Sequence, residues 1–189
     1  MQKYRFKVVL SSLLLVVLIT PFVSSTQESI QEELLEKRNQ LQQNFLSLYD
    51  QERYQQSILT ASEILNITQE IYGPESQSLV NPLNNLASSY FMIGDFEQAI
   101  KIFIECIDLI ESNNIISSDL VSPLVALGLA FNKSEQYNEA VEIFKRALHI
   151  NWVNNGFYNL EQINIHDSLT ESFIGLKNLE EANHHQNFQ

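Results

Sequence analysis

Between residues 83 and 144 the chain states one pattern twice, 41 residues apart. Leu83-x-x-Leu86-Ala87-x-x-Tyr90 with Gly94-Asp95-Phe96-x-x-Ala99-x-x-x-Phe103 returns as Leu124-x-x-Leu127-Gly128-x-x-Phe131 with Gln136-Tyr137-x-x-Ala140-x-x-x-Phe144. A step of 42 forward finds Leu169-x-x-x-Phe173 and Leu179-x-x-Ala182; a step of 42 back finds Leu41, Leu48 and Tyr54. Self-similarity at a period of roughly 20–50 residues marks supersecondary units that stack, because one unit alone cannot hide its apolar face. Within each unit the apolar residues recur at i, i+3, i+4 and i+7, one buried stripe on a helix. Ala99, Ala140 and Ala182 stand where two helices must approach closely, since a larger side chain would push them apart. The expectation is an all-α chain of about four helical hairpins, near 35–72, 78–112, 119–150 and 158–188.

Stop signals agree with that division. Gly73 accepts a positive φ after a helix, and Pro74 prevents continuation. Pro82 and Pro123 also lie 41 apart, each after a capping residue type, Asn81 or Ser122. Proline suits a first helical turn, where its missing N–H has no intrahelical partner to lose. The first helices of units two and three should therefore start between 78 and 82 and between 119 and 123. Residues 26–50 read as a long first helix whose Glu28, Glu32, Glu33 and Glu36 favour its positive N-terminal end. Its partner runs over 52–72. Inner turns fall at Gly94-Asp95 and Ser134-Glu135, and Asn154-Asn155-Gly156 separates units three and four.

Together these residues resemble the tetratricopeptide repeat, two antiparallel helices per unit with small residues at their contact. The usual unit is about 34 residues. The longer step, with Leu83-Asn84-Asn85-Leu86-Ala87 and Tyr72-Gly73-Pro74-Glu75, is similar to the kinesin-light-chain variety. The resemblance covers roughly residues 35–187, is most specific in the two central copies, and implies a right-handed α-solenoid. It departs from the pattern at Ser57, where Ala99 and Ala140 stand later, and at Leu179, where an aromatic is missing.

The N-terminus is a different object. Lys3, Arg5 and Lys7 precede an apolar run from Val8 to Ile19, then Pro21 and Val23-Ser24-Ser25. Those are the three regions of a secretory signal, with cleavage expected after Ser25; an uncleaved anchor lengthened by Phe22 and Val23 is the alternative. Cleavage would move the net charge from −12 to −15, because three cations leave and no acid does. A surface so acidic, without a Lys/Arg cluster, excludes nucleic acid and anionic lipid as partners beyond the signal segment. The single cysteine, Cys106, forbids an intramolecular disulfide and reads as a small core hydrophobe. An exported protein that folds without disulfides in a bacterial periplasm is the expected setting, secretion being the alternative.

No catalytic constellation, phosphate loop, cofactor motif or metal site stands out. His149, His166, His184 and His185 are scattered, and neighbours on a helix point about 100° apart, so the last two read as a solvated end. Asn183 and Gln186 replace the apolar Ile100 and Phe103 positions, as a capping repeat requires; a chain that stops inside a longer series of units fits the same residues. In the family's frame the first helix of each unit lines a concave groove. That places Asn39, Gln42, Gln43, Tyr49, Asn81, Asn84, Asn85, Ser88, Phe91, Ser122, Val125, Leu129, Asn132, Lys133, Asp167 and Glu171 along it. Side-chain amides offer donor and acceptor together and can pair with an extended peptide backbone, while Tyr49 and Phe91 supply apolar anchorage. The strongest expected contacts are Gln42, Tyr49, Asn81, Asn84, Asn85, Ser88, Phe91 and Asn132. With Lys133 the only cation among them, a grip on a peptide carboxylate fails, and a neutral or basic segment fits better than an acidic one. The expected function is a non-enzymatic scaffold holding another protein. The alternatives are a recruiting module cut from a larger enzyme and self-association through the ends of the stack.

Overall fold

The computed structural model describes residues 28–112, 116–156 and 159–187; the signal-like segment of residues 1–25 lies outside them. The chain divides at residue 40 into two compact units. In the first, residues 28–40 are helical and mostly exposed. That helix, α1, spans 28–50, and its residues from Leu41 onward belong to the second unit.

The second unit is a solenoid of antiparallel helix pairs. After α1 come α2 (Tyr54–Tyr72), α3 (Val80–Met92), α4 (Phe96–Glu111), α5 (Val121–Lys133), α6 (Tyr137–Asn155), α7 (Leu160–Gly175) and α8 (Leu179–Gln186). No strand occurs among the described residues. Helix α6 runs five residues beyond the expected boundary at 150, and Gly156 caps it with φ 71°. Among the described residues no helix is long and apolar enough to cross a membrane.

Each inner turn repeats one backbone device. Glu52, Gly94, Glu135 and Lys177 occupy the same place in successive units, with φ 58°, 82°, 61° and 59°. The N–H that follows each one bonds a carbonyl five residues back: Arg53 to Leu48, Asp95 to Tyr90, Gln136 to Phe131 and Asn178 to Phe173, at 2.9–3.0 Å. This six-to-one bond over a left-handed residue is a Schellman ending, which satisfies the last carbonyls of the first helix. The next helix starts at once: Asp95 and Asn178 accept from the backbone N–H of Gln98 and Glu181, while Arg53 and Gln136 give no side-chain cap.

The outer links repeat too, with one correction. Asn81 and Ser122 do not cap α3 and α5. Instead Ser76 and Ser117 accept from the N–H of Ser78 and Asp119 and start 3-10 turns at Gln77–Leu79 and Ser118–Leu120 that run into the helices. Pro82 and Pro123 are buried inside the first helical turns.

Equivalent residues fill equivalent interior places. Ala99 and Ala140, and Phe103 and Phe144, are fully buried, and Ala182 nearly so. One continuous core runs from Leu79 to Ala182, and a second joins Phe45, Ile58, Ala61, Ile64 and Leu86. A Cβ on Gly128 would stand 2.6 Å from the Phe144 ring, so that ring fills the space a methyl would take, where unit two carries Ala87. Serine at 57, the departure from the repeat, is buried and bonds Ser89 Oγ of the next unit at 2.9 Å.

Candidate protein-interaction groove

Two faces of the stack differ in how neighbouring units meet. Helix α3 packs on α5 and α5 on α7, whereas among the described residues the second helices α4 and α6 share no comparable contact. The first helices are therefore crowded together and the second helices splayed, so the first helices line the inner, concave side. Their N-terminal halves border a cavity of about 490 Å³.

Of the eight residues expected to hold a partner, Asn81 and Asn84 line that cavity. Asn81 is exposed; Asn84 is half-buried, and its Oδ1 is closed off from solvent with no hydrogen-bond donor among the described residues. Gln42, Asn85 and Ser88 are half-buried on their helices, and the Asn85 carbonyl accepts from Ser89 Oγ. Phe91 is half-buried with its ring centroid 5.5 Å from that of Phe96. Tyr49 lies between Phe45 and Tyr54, at 5.7 and 5.2 Å, and burial raises its phenol pKa.

Asn132 is elsewhere. It is 4% exposed, donates from Nδ2 to the Ser168 carbonyl at 3.2 Å, and accepts from Ser172 Oγ at 2.8 Å. Both ends of its amide are committed to α7, so it ties units three and four together instead of facing a partner. Lys133 is committed as well, through an ion pair with Glu171 at 3.2 Å.

Sequence reasoning missed two residues of this site, Asp119 and Glu161, both on the cavity wall. They stand 42 apart, five residues before Leu124 and His166, so the repeat register itself held the signal. Glu161 is held in place from behind. Fully buried Asn151 donates from Nδ2 to Glu161 Oε2 at 2.6 Å and accepts on Oδ1 from Asn159 Nδ2 at 2.8 Å. Asn159 also caps α7 through Gln162 N. Cys106, also on the wall, is buried with its Sγ 3.5 Å from the Val80 carbonyl. Desolvation, then the charge of Glu105, pushes its pKa up to about 12, so it remains a thiol and a poor nucleophile.

The histidines need a correction. His166 stands where Leu83 and Leu124 stand, is 8% exposed, and places its Nδ1 2.7 Å from Nδ1 of His185. His185 is half-buried and lies flat on Phe173, centroids 5.4 Å apart and rings 7° from parallel. A position that holds buried leucine in the central units here makes a hydrogen bond in which one ring donates and the other accepts. Desolvation, then the neighbouring histidines, pulls the His166 pKa down to about 4, against the opposing charge of Asp167. No group of three or more metal-ligating side chains occurs among the described residues.

No curated protein matches the chain in sequence. Among solved structures it is similar to BtubC (BKLC) from P. vanneervenii, with TM-score 0.71 and 14% identity over 79% of this chain and 59% of that one. It is also similar to kinesin-light-chain repeats from Podosopora anserina, with TM-score 0.70 and 13% identity over 79% and 71%. A third likeness is to the apo form of RapI, with TM-score 0.70 and 17% identity over 79% and 53%. The chain thus spans little more than half the length of BtubC and of RapI. At these identities the likeness is one of fold. Two tetratricopeptide repeat models match residues 46–112 and 124–151, about half of the sequence. With its helix pairs, turns and interior alanines in the register of that repeat, the chain belongs to the tetratricopeptide repeat family.

Proposed function

We propose that this protein is a non-enzymatic scaffold that holds an extended segment of a partner protein along its first-helix face. The observation that carries the reading is the cavity on that face, walled by Asn81, Asn84 and Ser122. Amide side chains at Asn81, Asn84 and Asn85 serve a backbone irrespective of its sequence. The acidic surface favours a neutral or basic segment. The basic, apolar and small-residue series of residues 3–25 supports export to the periplasm, where the partner would be met.

The reading is tested by placing a photo-reactive amino acid at Ser88 or at exposed Glu97 of α4, in the full chain expressed in a bacterial envelope. Adducts from Ser88 but not Glu97, lost when Asn84 and Asn85 become alanine, are the expected result. Adducts only from Glu97, or adducts from Ser88 that survive both substitutions unchanged, would remove the groove from the account.

A further inference from the structure

Among the described residues, the wall of the cavity carries two carboxylates, Asp119 and Glu161, and no lysine, arginine or histidine. Around it the chain as a whole holds 23 acidic against 11 basic residues. Helix N-termini near the cavity bring partial positive charge of about half a unit each. Much of that is already answered: Pro82 and Pro123 have no N–H, and Ser76 and Ser117 accept from N–H groups at the preceding turns. The sign of the site is therefore set by the two full carboxylate charges.

Glu161 is oriented before any ligand arrives. Its Oε2 is fixed by fully buried Asn151, itself fixed by the α7 cap Asn159. The other polar side chains on the wall, Gln77, Asn81, Asn84, Ser118 and Ser122, are neutral. A group that only accepts hydrogen bonds offers the two carboxylates no donor. A group that donates several and is positively charged complements them in both respects. The cavity, at about 490 Å³, lies within the range of about 300–1,000 Å³ of sites that seat small groups.

We infer that this cavity is a specificity pocket for a lysine or arginine side chain of the bound partner segment, held by Asp119 and Glu161. The inference rests on the groove reading above and narrows it: backbone contacts along the amide row hold the segment, and this pocket selects a cationic residue at one position. Because the field of the whole molecule has the same sign as the pocket, association should also be quickened by long-range attraction and slowed by salt.

The test is a nuclear magnetic resonance titration of the full chain with three blocked peptides, Ala-Ala-X-Ala-Ala, in which X is lysine, norleucine or glutamate. The lysine peptide should move the backbone signals of Asp119, Ser122 and Glu161 and the side-chain amide signals of Asn84. The norleucine peptide should bind about tenfold more weakly, and raised salt should narrow that gap. Asp119→Asn and Glu161→Gln should each weaken the lysine peptide about threefold, the size of a solvent-accessible ion pair. Glu161→Gln keeps an oxygen acceptor for Asn151, so the fold is preserved and only the charge is lost. Equal binding of the lysine and norleucine peptides at these signals would overturn the pocket inference while leaving the groove standing. Shifts by the lysine peptide confined to other surfaces, or no shift with any peptide, would overturn it as well. The groove reading itself stands or falls on the crosslinking result.

Discussion

The repeated inner turn offers an experiment in which the chain is its own control. Gly94 and Glu135 hold the same turn position 41 residues apart, with φ 82° and 61°. A non-glycine residue in the left-handed region costs about 1–2 kcal/mol through the Cβ–carbonyl clash. Glycine avoids that cost but surrenders more unfolded-state entropy, about 0.5–1 kcal/mol. Glu135→Gly should therefore stabilise the protein by about 0.5–1 kcal/mol, since exposed Glu135 gives up little at the surface. The mirror change, Gly94→Ala, should destabilise by a similar amount. Nothing lies within 4 Å of a Cβ built on Gly94, so no steric contact adds to the backbone term. The two changes together should nearly cancel, because the turns are separate. Urea unfolding of the full chain followed by far-ultraviolet circular dichroism measures all three, with an unchanged slope showing that the unfolding reaction is the same one. A destabilised Glu135→Gly, or a neutral Gly94→Ala, would refute the claim that left-handed strain governs this position.

Two further expectations follow from buried polar pairs. Ser57 and Ser89 share one hydrogen bond, and each hydroxyl also has a local carbonyl, Tyr54 for Ser57 and Asn85 for Ser89, so removing one orphans no donor. With about 1 kcal/mol for the bond and about 0.5 kcal/mol regained per Ser→Ala in a helix, each single alanine should cost about 0.5 kcal/mol. The double should be near neutral, and additive losses in the unfolding assay would show that the bond contributes nothing. The His166–His185 contact predicts acid sensitivity. Folded His166 binds its proton less readily than the unfolded chain does, so stability present above pH 6.5 is lost as pH falls toward about 4. Allowing for the water that reaches His185, the loss at pH 5 should be of order 1 kcal/mol. Hydrogen exchange of α8 should quicken on acidification, and His185→Gln should reduce the effect; exchange that ignores pH, once corrected for intrinsic rates, would exclude it.

Helical pairing, interior alanines and turn positions were legible in the sequence because each depends on local spacing. A buried stripe needs apolar residues at helical period, and a close helix contact needs a small residue, whatever lies beyond. The placement of Asn81 and Asn84 on the first helix of their unit was legible for the same reason, since register alone sets it. Tertiary structure alone decided what each polar residue at the edge of that stripe does. Asn132 has the sequence signature of a groove amide, yet the approach of Ser168 and Ser172 on α7 buries it and uses both its ends. His185 looks like a solvated tail residue, yet Phe173 and His166 cover it. Asp119 and Glu161 look like ordinary first-turn acids until the stacking of α3, α5 and α7 sets them on one cavity wall with Asn84. Periodicity fixes direction only to within a broad arc of the helix surface. Whether a side chain in that arc meets water, a partner or a neighbouring helix depends on how far the next unit is rotated, and that is a property of the packed stack.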